Sequence, residues 1–154
     1  MIPEFNGLED SEVELLLKAP ILVCILIAGA DGTIDKKEVR EAIAIAGQLK
    51  NSTGVLSGYL RESAEDFEDK LKIVVQAYPY MADKRTPIIV EELSRLNVLW
   101  PRLGIDFSIA LYKMLLVIAD KIANSSGGLL GIRSVDEDEA KFIQLPMIEN
   151  PAKN

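Results

Sequence analysis

Asp31, Asp35 and Glu38 are carboxylates whose spacing suggests ligand chemistry: they follow a wholly apolar run, flank Gly32 and lead into an amphipathic stretch. Oxygen donors without thiol or imidazole suit hard cations, so Mg2+ or Ca2+ is the ion such a cluster would take. Asp31, Gly32, Thr33, Ile34, Asp35 and Glu38 fall at positions 5 to 9 and 12 of an EF-hand loop. Positions 1 and 3 would then be Ile27 and Gly29, which carry no carboxylate, so a full calcium cage does not form from this segment alone. A weaker site from Asp31, Asp35 and Glu38, completed by Asp136 and Glu139 of a second acid-rich turn, stays open. Capping offers another reading of the same residues. Asp35 with Glu38 forms a capping box, Ile34 with Val39 the accompanying hydrophobic staple, and Asp136 with Glu139 repeats the box. Each cap is worth about 1 kcal/mol, reason enough for such residues without a ligand. Asp31 is the residue that capping explains least.

Other chemistry is thinner. Gly127-Gly128-Leu129-Leu130-Gly131 has the look of a phosphate loop but lacks the Lys-Ser or Lys-Thr ending and follows a helix, not a strand. It reads as a helix stop and a hydrophobic loop, where Leu129, Leu130 and Ile132 could form a contact patch for a partner. Glu62, Glu65, Asp66, Glu68 and Asp69 read as a solvated helix start, with Ser63 as its cap and the acids favouring the helix dipole. The chain contains no histidine, which removes the usual general base, the commonest zinc ligand and the triad partner together. No enzymatic activity is expected. Cys24, the single cysteine, lies in an apolar run and reads as a buried thiol. A net charge of -7, with no stripe of Lys and Arg, counts against nucleic acid as a partner. The first residues carry no basic leader, and the apolar run 20–30 is shorter than the roughly 20 residues that span a bilayer. The cytoplasm is the expected location.

The elements that must position these residues are helical throughout. Apolar spacing predicts a helix over 9–30, kinked or restarted at Pro20, whose second part is apolar on all sides and belongs in the middle of a bundle. A second helix follows over 35–49, with Val39, Ala42, Ile43, Ala46 and Leu49 on one face. Gly54 and Gly58 mark a turn and a short helix near 57–61. Phe67, Leu71, Val74, Val75 and Tyr78 stripe a helix over 64–78. Thr86-Pro87 gives a helix start, with Ile89, Leu93, Leu96 and Trp100 continuing to Pro101. Residues 106–124 form a second central helix with two apolar faces, one through Ile109, Tyr112 and Leu116, the other through Leu111, Leu115 and Ile118. A last helix is predicted over 136–145, stopped by Pro146. The organisation expected is an end segment 1–10, one helical domain over 11–146 and an end segment 147–154.

The chain also repeats itself. Ile27-Ala28-Gly29-Ala30-Asp31-Gly32 aligns with Ile122-Ala123-Asn124-Ser125-Ser126-Gly127, and each is followed by an apolar residue, Asp, two residues and Glu. The second copy carries Ser126 where Asp31 stands, and a Gly-rich insertion over 128–133. With Ala30-Asp31-Gly32-Thr33-Ile34-Asp35-Lys36-Lys37-Glu38 in the first half and Val135-Asp136-Glu137-Asp138-Glu139 in the second, the chain resembles the TerB-like family, named for a tellurite-resistance protein. The resemblance implies an all-α, single-domain, pseudo-symmetric bundle of about six to eight helices. It also implies a stress-response context and divalent-cation binding by acids at the motif ends. The expected function is therefore a non-enzymatic binding domain acting through a protein partner or a second copy of itself. A dedicated Mg2+- or Ca2+-sensing module is the alternative, and an enzyme using carboxylates a second one; no cofactor is required.

Overall fold

Between Ala19 and Leu26 every residue is apolar, so no face of that segment can turn to water without loss; burying each large side chain there contributes roughly 1.5–3 kcal/mol. The computed structural model describes residues 2–28, 36–130 and 142–153. In it the first helix, α1 (Asp10–Ala28), is buried over that whole stretch and runs through the centre. Its start is a capping arrangement in which Glu12 Oε1 accepts from the Glu9 backbone N–H at 2.9 Å.

Pro20 does not restart this helix. Proline removes the donor that would reach the carbonyl four residues back, which here is Leu16. The Tyr59 hydroxyl takes its place, donating to Leu16 O at 2.7 Å across 43 positions of sequence. A packing partner thus repairs locally what the proline breaks, and α1 stays continuous.

Helix α2 (Lys36–Lys50) buries Val39, Ala42, Ile43 and Ala46, as its spacing predicts. Leu49, expected on the same face, sits near the open end and is 58% exposed. Asn51 Oδ1 accepts from Leu56 N at 2.7 Å and closes a turn at Gly54, whose φ is +78°, before α3 (Ser57–Ala64). The helix expected over 64–78 starts later, at Phe67: residue 64 closes α3, and Asp66 adopts a left-handed conformation (φ 51°) ahead of α4 (Phe67–Ala77). Ser63 is accordingly no cap: it lies buried inside α3, and the acids Glu68 and Asp69 occupy the first turn of α4.

The Thr86-Pro87 start is also corrected. Helix α5 (Ala82–Ser94) begins earlier, with Arg85 buried and donating to the carbonyls of Pro79 and Tyr80 at 3.5 and 2.9 Å, which ties down the turn before it. Pro87 lies in the second turn, where the carbonyl it deprives belongs to the exposed Asp83 and can be satisfied by water. A break at Arg95 separates α5 from α6 (Leu96–Leu103), which ends at Gly104 with φ +86°.

Helix α7 (Ile105–Leu130) is the second central helix. Leu111, Leu115 and Ile118 are buried, while Ile109, Tyr112 and Leu116 are half-buried. It passes through Gly127 and Gly128, which were expected to stop it. Glycine in a helix interior costs about 1 kcal/mol relative to alanine and does not remove a backbone donor, so it weakens a helix without breaking it. Helix α7 packs along α1 and α2, and α1 also carries α4 and α5, giving an all-helical bundle; no strand occurs among the described residues.

Both end segments join the core. Ile2 and Phe5 are buried, and the Phe5, Tyr59 and Phe107 rings meet edge to face with centroids 5.8 to 6.4 Å apart. Ile148 and Pro151 are buried too. Asn97 donates to Met147 O at 3.0 Å and accepts from Glu149 N at 2.7 Å, and Trp100 Nε1 donates to Glu149 O at 3.0 Å. The last predicted helix lies mostly outside the described residues.

Candidate functional site

Of the five proposed cation ligands, the structure describes one. Glu38 is exposed in the first turn of α2. Asp31, Asp35, Asp136 and Glu139 lie outside the described residues, as does Ile132 of the expected contact patch. Among the described residues, no three Asp, Glu or Cys side chains gather as a metal site. Cys24 is fully buried, and burial pushes its thiol far above the ordinary cysteine range, so the reactive thiolate is suppressed.

The structure offers a different surface, a groove of about 320 Å³ between α1 and α4. Val13, Leu17 and Ile21 recur at helical spacing along α1 and face Ile73 and Val74 of α4. Asp10, Glu14, Lys18 and Lys70 also line it, so charges of both signs border an apolar strip. Ile73 is 66% exposed, on a helix that buries Phe67, Leu71 and Val74, and it extends the apolar strip to the groove's rim. The signal in the sequence was its position off the Leu71 and Val74 stripe.

Beside the groove, Lys18 ties α1 to α5. Its Nζ lies 3.4 Å from Glu92 Oε1 and 5.9 Å from the centroid of the Tyr78 ring, while the Tyr78 hydroxyl donates to Glu92. Burial raises the Tyr78 phenol above its ordinary range, and its hydrogen bond to Glu92 and the charges of Glu92 and Glu14 raise it further. The phenol therefore stays protonated as a donor. Lys70 donates to Glu62 O at 2.6 Å, which holds α4 against the end of α3. These contacts fix the two helices that form the groove walls, so the apolar strip is largely pre-formed.

No helix among the described residues is long and apolar enough to cross a membrane. Comparison with family models, with curated proteins and with solved structures gives no match to the chain.

Proposed function

We propose that this chain is a non-enzymatic helical domain of the TerB-like kind that acts by binding a protein partner in a stress-response setting, with weak divalent-cation binding at the Asp31 motif. The observation that carries the partner reading is the α1–α4 groove, with Ile73 exposed on its rim. Its apolar strip with charges of both signs suits an amphipathic helix that lays apolar residues at i, i+3 and i+4 into the groove. The composition supports a non-catalytic role, since the chain has no histidine and its one cysteine is buried.

A photo-crosslinking amino acid at position 73 tests the reading in cell extract, with position 113, exposed on α7, as the control. The expected result is a discrete adduct from position 73 alone, lost when Leu17→Glu charges the groove floor. Adducts equal at both positions, or none at 73, would refute the partner reading. For the cation, millimolar Mg2+ or Ca2+ should raise the melting midpoint, by about 2.7 kcal/mol of added stability at a hundred times the dissociation constant. Asp31→Asn should remove that rise; an unchanged rise would place the ion elsewhere.

A further inference from the structure

A second cavity, of about 360 Å³, opens between α2, α3 and the first turn of α4, and the partner reading makes no use of it. Its walls are mostly apolar: Ile43 and Ala44 come from α2, Leu60 and Ala64 from α3, and Phe67 from α4, with Gln48 and Ser63 as the uncharged polar members. Ala44 and Ala64 leave the space open because a methyl group is too small to fill it. Leu60 lies against α2 because position 47 is glycine; a Cβ there would stand 2.6 Å from Leu60 Cδ2.

One lining residue is charged. The Arg40 guanidinium stands 5.7 Å from the centroid of the Phe67 ring, and its Nη2 lies 3.2 Å from Glu68 Oε1. Stacking over the ring places the cation at the mouth of the cavity. Its present partner is weakly held, since Arg40 and Glu68 are 59% and 70% exposed and such pairs are worth about 0–1 kcal/mol. Another carboxylate arriving with an apolar body would gain the same charge pair and the cavity as well.

We propose that this cavity binds a small apolar monocarboxylate, a medium-chain alkyl acid whose tail lies among Ile43, Leu60 and Phe67 and whose carboxylate replaces Glu68 on Arg40. The volume falls at the small end of ligand sites, roughly 300–1,000 Å³, and matches a short tail. Glu68 is then a built-in competitor, and its removal strengthens binding.

Titration calorimetry of the full chain with octanoate, octanol and octylamine tests this. Octanoate should bind with a saturable isotherm, up to about fivefold tighter than octanol, the factor that an exposed charge pair of about 1 kcal/mol supplies. Arg40→Gln should abolish that preference, whereas Glu68→Gln should tighten octanoate severalfold and leave octanol unchanged. Ala64→Leu, at an exposed position, should fill the cavity and eliminate both, with a melt confirming that the variant is folded. The proposal is overturned if octanoate does not bind at millimolar concentration, if octanol or octylamine binds as tightly, or if Glu68→Gln has no effect. An unfolded Ala64→Leu leaves the two charge variants to decide.

Discussion

The Leu16 carbonyl is a single acceptor on which two distant residues converge. Pro20 denies it the helical donor, and Tyr59 supplies one from α3. Tyr59→Phe should therefore leave a buried carbonyl unsatisfied and cost about 1–3 kcal/mol. For a chain of this size each kcal/mol lowers the midpoint by about 2–4 °C, which a thermal melt resolves. In a Pro20→Ala background the amide of residue 20 can donate to Leu16 again, so the same Tyr59→Phe change should cost markedly less. Equal costs in both backgrounds would show that the hydroxyl acts only through its packing. The sequence could show Pro20 and its consequence for a local helix; it could not show a donor arriving from 43 positions away.

At the scale of elements, helices were legible wherever apolar spacing was clean, as in α2 and α7, because burial on one face is written at intervals of three and four. Boundaries set by side chains reaching backbone carbonyls were not. The early start of α5 depends on Arg85 reaching the carbonyls of Pro79 and Tyr80, and no local rule makes a buried arginine a helix anchor. The clasp that α6 places on residues 147–149 was likewise hidden, since Asn97 looks like an ordinary helix residue until Glu149 is beside it. Asn97→Ala removes both of its bonds. The amide of Glu149 should then exchange with deuterium far faster while the amides of α1 and α7 keep their protection, and the midpoint should fall by several degrees. Unchanged protection at Glu149 would mean that Trp100 alone holds the segment.

Across the whole molecule, the burial of α1 could be foreseen because a segment with no polar face has only one place to go. The grooves could not, because they depend on how α4 lies against α1 and how α3 diverges from α2. The buried acids of this interior set a dependence on pH. Burial raises Cys24, Tyr59 and Tyr78 above their unfolded values, which lie near 8.5 for cysteine and 10 for tyrosine. Above those values the unfolded chain releases protons that the fold retains, so stability falls as pH rises. Melts between pH 7 and 11 should show a decline that begins above about 8.5 and steepens past about 10. A flat profile to pH 11 would contradict it. The same interior leaves two segments distant in sequence, residues 2–8 and 147–153, on one short helix. Arg102 holds Gly7 O and Glu12 while Asn97 holds Met147 and Glu149, and the two gripping residues are only about 8 Å apart along the helix axis. An event that loosens α6 should therefore release both segments together, so that the amides of Phe5 and Leu8 lose protection along with those of Leu145 and Ile148.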